Sequence, residues 1–338
     1  MSKDKDQAFH YGGQAVLEGV MMRGKKDFAV AVRRANGEIV STSEEVKGIL
    51  GTLQWLNKPL LRGTLMLIDS MALGIKALMY SANVAVADAE EAEKAEKQAK
   101  GETVSGGSSK VNDLVIPVVM LLGLVLALGL FKLLPIVITK PLRSLTSVPW
   151  QLTAIEGLVK IAIFIGYVWV VSFAKDIRRV FQYHGAEHKT INAYEAGVEL
   201  TPENIVNHTK VHVRCGTSFI LVVLVASIVV YALIVDRLPH GGLAERSILS
   251  YFARWGYNVA LLPFIAGLAY EVIRFAGNHK DSLFTRFLVL PGLLMQKLTT
   301  REPEPEMIEV AIRSLQSVFE SEKAREQETQ AEPAPAQG

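Results

Sequence analysis

Apolar runs as long as a bilayer is thick constrain this chain more than any other feature. Leu114 to Thr139, Leu152 to Phe173, Thr217 to Val235 and Asn258 to Phe275 each carry few charges. About 20 such residues in a helix cross roughly 30 Å of hydrocarbon. Backbone groups in hydrocarbon need partners within their own segment, so each run is expected to be helical. Half of the 338 residues are apolar, and the net charge of +2 is too small to point to nucleic acid. The expected fold is mostly α. It is an integral membrane bundle of about four transmembrane helices plus interfacial helices, with a small N-terminal β element.

Pro117, Lys132 and Pro135 fall towards the ends of the first run, where they are tolerated. Glu156 and Lys160 sit one turn apart in the second and are expected to pair locally. Leu283 to Leu298 is apolar but broken by Arg286, Pro291 and Gly292. It is expected to be interfacial or re-entrant within a bundle covering 114–300. The first ten residues are polar, so insertion is expected to use the internal segments. The single cysteine, Cys215, excludes an intrachain disulfide.

Residues 7–48 read as a small β-rich cytoplasmic element. Ala35-Asn36-Gly37 between two β-prone runs signals a hairpin. The glycine-punctuated stretch Tyr11 to Gly24 before it reads as an irregular strand, and it matches no phosphate-binding pattern. Residues 49–86 read as a helix lying at the interface or packed on the bundle. Its Arg62, Asp69, Lys76 and Asn83 recur every seven residues as a polar stripe facing water or protein. Residues 87–113 combine a charged helix with a flexible linker. Residues 301–338 combine an amphipathic helix, with Ile308, Ile312, Leu315, Val318 and Phe319 on one face, and a disordered tail. That apolar face is expected to dock protein partners.

The loop over 174–216 holds Lys175, Arg178, Arg179, Lys189, Lys210 and Arg214, against Lys140 and Arg143 between the first two runs. Cytoplasmic loops are enriched in Lys and Arg. The loop and both termini are therefore expected in the cytoplasm of a cell with the bundle in its inner membrane.

Four of the seven histidines fall in this loop. His184 and His188 are four apart, which puts them on one helical face about 40° from each other. Glu187 lies beside them, and Glu195 falls between them in angle. His-x-x-Glu-His is an arrangement in which two imidazoles hold a divalent metal and the carboxylate activates water. His208 and His212 follow, with Cys215 just before the third run. The expected metal site, taking zinc, draws on His184, His188 and one of His212, Glu195 or Glu271, with Glu187 as catalytic base. Glu271 enters because the fourth run returns to the same membrane face. Cys215 is expected to be packed rather than liganded. Gly216-Thr217-Ser218 is expected to start a helix rather than supply a catalytic hydroxyl.

GGQAVLEGVMMRG (Gly12 to Gly24), FQYHGAEHKTINAYE (Phe181 to Glu195) and HVRCGTSF (His212 to Phe219) carry a resemblance, as do AGLAYEVIRFAG and PGLLMQKLTTREP. Together they make the chain resemble the YqhQ-like family of bacterial membrane proteins, described as predicted metal-dependent enzymes. The resemblance runs nearly end to end. It favours His212 over His208, which lies outside the motif.

The reading that follows is a membrane metal-dependent, hydrolase-like enzyme in contact with the lipid bilayer. The alternative is a non-catalytic scaffold or assembly factor with a structural metal or none. A transporter ranks last, because no internal repeat is visible.

Overall fold

The computed structural model describes residues 11–46, 48, 55, 57–100, 111–142, 144, 146, 148–234, 248–278 and 282–331. The linker expected over 101–110 and the tail from 332 onward lie outside them. The N-terminal β element is a four-stranded antiparallel meander of β1 (Gly12–Val16), β2 (Gly19–Arg23), β3 (Asp27–Arg33) and β4 (Ile39–Glu45). The Asn-Gly signal marks the β3–β4 turn, where Gly37 N–H donates to Arg34 C=O and Gly37 takes φ 90°. The stretch expected to be one irregular strand is instead the β1–β2 hairpin, turning at Leu17-Glu18 with Glu18 at φ 49°.

Both faces of the sheet are covered, so the alternation along its strands sorts residues between two cores. Val20, Met22, Ala29 and Ala31 face one way, while Met21, Phe28, Val30 and Val32 face the other. The second set packs on Leu73 and Ala77 of α1 (Leu61–Ala99). The first set packs on α5 (Lys175–Glu195) and α10 (Pro305–Ala331). Alanines on β3 let α10 approach closely enough for Ser314 Oγ to donate to Ala29 C=O at 3.1 Å.

The chain continues from α1 through α2 (Val111–Leu128), a π-helical turn (Gly129–Leu133), α3 (Leu134–Leu142) and α4 (Pro149–Val171) to α5. Short α6 (Pro202–Ile205) leads to α7 (Gly216–Leu233), α8 (Ile248–Asn278) and α9 (Leu283–Thr299), with α10 last. Among the described residues, five helical stretches are long and apolar enough to cross a membrane: Leu61–Ala99, Leu121–Leu142, Trp150–Val171, Gly216–Leu233 and Val259–Ala276. Lys160 and Glu156 pair at 2.7 Å, as their spacing predicts. The stretch expected to be broken at Pro291 is a continuous helix, α9, with that proline inside it.

The stripe on α1 goes to three different destinations. Arg62 donates Nε–H and one Nη–H, along one edge of its guanidinium, to the two carboxylate oxygens of Glu271 of α8, at 2.7 and 2.6 Å. Asp69 is buried, and Lys76 reaches Glu44 of β4 at 3.0 Å. Further along, Asp88 accepts from Arg34 Nε and Ala35 N–H at the β3–β4 turn, both at 2.7 Å.

The C-terminal amphipathic helix does not hold a free docking face. Ile308, Ile312, Leu315 and Val318 of α10 are buried against the chain's own sheet and α5, because that face covers the half of the sheet that α1 leaves open. Polar contacts close the arrangement. Arg325 binds Asp27, which is fully buried, and Glu322 accepts from Lys25 N–H at 2.5 Å and from Tyr11 O–H at 2.9 Å.

At the centre of this body Tyr183 of α5 is buried, and its hydroxyl donates to Glu18 Oε2 at 3.3 Å. Burial, then the Glu18 charge, push the phenol above its ordinary value near 10. Below that value the phenol is neutral in both folded and unfolded chains and stability does not depend on it. Above it the unfolded phenol ionises first, so stability falls as pH rises. Denaturation midpoints should therefore drop above about pH 10, and Tyr183→Phe should flatten that drop relative to wild type.

Candidate metal centre

Helix α5 is rich in polar residues yet enclosed: Glu187, His188, Lys189 and Thr190 are all buried. Burying a polar group without a partner costs several kcal/mol, on the order of 2–7, so the surrounding segments must supply acceptors and donors. One of them is the stretch after α9. Arg301 N–H donates to Phe181 C=O at 2.8 Å, and a Cβ on Gly185 would lie 2.0 Å from Arg301 O. Only glycine at 185 lets this segment cross the helix, and the crossing sets the Thr299 carbonyl beside His184. The loop after α6 is the other. Asn192 Nδ2 donates to Thr209 and Val211 carbonyls at 2.7 and 3.2 Å. Lys189 Nζ donates to Val206 C=O at 2.6 Å and pairs with Glu302. Burial raises the Glu302 carboxyl, but hydrogen bonding from Lys189 and the charge of Lys210 outweigh it and hold the group below its usual range.

Both histidine rings are fixed through the same atom. His184 Nδ1 lies 2.9 Å from Thr299 O, and His188 Nδ1 lies 2.7 Å from Lys210 O. A carbonyl oxygen only accepts, so each Nδ1 carries a proton, and in the neutral imidazole Nε2 is then the atom with the lone pair. His184 Nε2 is 3.2 Å from Cys215 Sγ. One ligand atom from each of His184, His188 and Cys215 lies within 4.8 Å of the others. This is the sole such trio of His, Cys, Asp or Glu among the described residues. Cys215 is the N-cap of α7, and Thr217 Oγ1 lies 3.1 Å from its sulfur.

The donor set fits a tetrahedral metal. Bonds of about 2.0 Å to nitrogen and 2.3 Å to sulfur put N and S roughly 3.5 Å apart, a few tenths wider than the 3.2 Å between His184 Nε2 and Cys215 Sγ. The Nδ1–H to carbonyl bonds are the outer contacts that orient metal-binding imidazoles. Glu187 Oε2 lies 3.4 Å from His188 Nε2, so a carboxylate flanks the trio. Its position is set from behind by β1, where a Cβ on Gly13 would meet Glu187 Cγ at 2.8 Å.

The other residues singled out by sequence lie around this trio or away from it. The His212 ring packs on His188 with centroids 5.8 Å apart, and its Nε2 is 3.9 Å from Glu195 Oε2. Glu195 is also paired with Arg214. Glu271 is held by Arg62, and His208 N–H caps Ile205 C=O at 2.9 Å. Cys215, expected to be merely packed, is the residue that joins His184 and His188.

Sequence reasoning assigned no role to Gln296, yet it is fully buried and clamps the site loop. It accepts from His212 N–H at 2.9 Å and donates to His212 C=O at 2.8 Å and Ser218 Oγ at 2.7 Å. Gln296, Thr299 and Arg301 all lie in PGLLMQKLTTREP, and Gly13 lies in GGQAVLEGVMMRG. An uncharged amide directly after the apolar run Phe287 to Met295 was the available signal.

The chain that carries this constellation is similar over most of its length to other proteins. The family described as "Protein of unknown function (DUF1385)" matches residues 58–321, and the chain belongs to it. It is similar to the uncharacterized protein YqhQ of Bacillus subtilis (strain 168), at 36% identity over 319 residues covering 94% of each chain. No solved structure matches.

The crossing at Gly185 provides a test of how the site is built. Gly185→Ala should destabilise the protein by roughly 1–3 kcal/mol, the usual cost of overpacking. Gly166→Ala in α4, where nothing lies within 4 Å of the added carbon, should leave the melting temperature unchanged or higher.

Proposed function

We propose that the chain is an integral inner-membrane protein in which His184, His188 and Cys215 hold a divalent metal serving a hydrolytic reaction. The observation that carries this reading is that both Nδ1 atoms are bound to main-chain carbonyls, at 2.9 and 2.7 Å, while His184 Nε2 lies 3.2 Å from the Cys215 sulfur and one ligand atom from each of the three residues falls within 4.8 Å of the others. Two imidazoles and a thiolate are a borderline-soft donor set, which favours zinc over magnesium or calcium. When bound, the metal supplies Lewis acidity at this point. Glu187 takes a proton from the attacking water as the water oxygen bonds to the scissile centre. It then returns that proton to the leaving group as the old bond breaks.

Topology supports a site at the membrane boundary. The N-terminal sheet, α5 and α10 share one core, so all three stand on the same side of the bilayer. The chain must then cross an even number of times between the sheet and α5, and again between α5 and α10. Of the five candidate spans, α1 is the one that also packs on the sheet, through Leu73 and Ala77. Its other face exposes Ile68, Met71, Ile75 and Met79. We therefore take α1 as interfacial and the remaining four as crossing. The Lys and Arg of the 174–216 loop favour the cytoplasmic side for the shared body and both termini.

Metal analysis of detergent-purified protein tests the centre. Wild type should hold close to one zinc per chain. His184→Ala and Cys215→Ala should lose it, whereas Glu271→Gln should keep it. Glu187→Gln decides between base and ligand: retained metal fits the base, and lost metal makes the centre a closed structural one. Wild type free of metal after purification without chelators would end this reading. For the topology, a cysteine at Met79 in a Cys215→Ser background should resist water-soluble maleimides and react with a lipid-soluble one.

A further inference from the structure

The sheet runs β1-β2-β3-β4, so β1 and β4 are its edges. Gly13 of β1 packs directly on Glu187 of α5. The far edge, β4, is open. Bonds at either end of its ladder, Arg34 N–H to Glu38 C=O and Val46 N–H to Lys26 C=O, fix which residues turn inward. Hydrogen-bonded and non-bonded pairs alternate in an antiparallel ladder, so Val40, Thr42 and Glu44 bond to β3. Ile39, Ser41, Ser43 and Glu45 turn their N–H and C=O groups outward, and these meet no partner among the described residues.

Open edges are usually guarded by charge, proline or a bulge. β4 has no proline and pairs with β3 without interruption over all seven of its residues. Its two glutamates are drawn off the edge. Glu44 goes to Lys76 of α1 at 3.0 Å, and Glu45 goes to Arg325 of α10 at 3.7 Å.

The strand is also complementary to itself. When two copies run antiparallel with Thr42 facing Thr42, the bonded pairs are Ile39 with Glu45 and Ser41 with Ser43, and Val40 faces Glu44. Every outward group finds a partner. No glutamate opposes another, which would be destabilising.

The layering of the body selects the same partner. α1 packs on one face of the sheet through Leu73 and Ala77 and exposes Ile68, Met71, Ile75 and Met79 on its opposite side. α10 covers the other face of the sheet. With the apolar side of α1 on the bilayer, the sheet lies parallel to the membrane surface. Opposed residues of antiparallel strands point to the same face, so the two-fold axis relating two β4 strands stands perpendicular to the sheet. That axis runs along the membrane normal, and two copies joined at β4 insert their spans in the same sense.

We propose that β4 pairs with β4 of a second copy, antiparallel about Thr42, to form a closed isologous dimer with one continuous sheet. The inference rests on the interfacial placement of α1 and is independent of the metal.

The test uses the full chain in its native membrane, with Cys215 left in place because it is buried. Single-molecule photobleaching of tagged wild type should count dimers. Under mild copper phenanthroline oxidation, Thr42→Cys should give disulfide-linked dimer several-fold above both wild type and Lys323→Cys, a control on the exposed side of α10. Thr42→Lys and Thr42→Glu should each be monomeric, and co-expression of the two should restore a mixed dimer, as only a residue opposite itself allows. Ser43→Pro removes an outward N–H that β3 does not use, a change edge strands tolerate. It should give a monomer with unchanged circular dichroism.

A monomeric wild type overturns the proposal, including one that dimerises only after residues 1–10 are deleted, since the chain's own segment then occupies the edge. A dimer that persists in Ser43→Pro, or leaves Thr42→Cys unlinked, uses another surface and overturns it as well. Pairing through β4 in a protein whose Met79→Cys variant reacts with water-soluble maleimides ends the placement of α1 and spares the dimer. Monomers in which that cysteine is protected do the reverse.

Discussion

A polar helix enclosed on every side is the constraint from which the rest of this structure follows. From Tyr183 to Ala193, α5 is buried or half-buried at each position, although it carries two histidines, a glutamate, a lysine and an asparagine. Each would cost on the order of several kcal/mol if desolvated alone. The partners come from far along the chain: Thr299 for His184, Lys210 for His188, Val206 and Glu302 for Lys189, Thr209 and Val211 for Asn192. The loop after α6 and the segment after α9 are therefore ordered by the same helix whose side chains they satisfy. Stability and site geometry share one set of hydrogen bonds.

Much of the architecture was legible because it follows from local pattern. Long apolar runs announced the helices, Asn36-Gly37 announced the β3–β4 turn, and Glu156 and Lys160 announced their pair. The two-sided sheet was harder. β3 is buried nearly throughout, so it shows no in–out alternation of polarity to betray a meander strand. The C-terminal helix misled for a related reason. An amphipathic face reveals that something covers it, and sequence cannot distinguish a partner protein from a sheet formed by residues nearly 300 positions earlier.

The site divides along the same line. The spacing of His184 and His188 is a local fact and was readable. Their third companion was not, because it depends on where α7 begins relative to α5. A lone cysteine entering an apolar helix carries no mark that separates a ligand from a packed side chain. Glu271 was expected near the loop because its helix returns to that membrane face. Arg62 lies on α1, next to α8 across their contact, and a bidentate ion pair between the two helices claims the carboxylate.

Why Cys215 rather than His212 joins the pair comes down to one amide. Gln296 binds both the N–H and the C=O of His212, so the backbone at that position is held at two points from α9. With the main chain fixed there, the imidazole packs on the His188 ring and sets its Nε2 3.9 Å from Glu195 Oε2. Three residues later the chain turns into α7, and the N-cap position points the sulfur back toward α5. The third hydrogen bond from Gln296, to Ser218 Oγ, ties that first turn of α7 to the same amide. A single buried side chain of α9 thus decides which of two plausible donors meets the histidines.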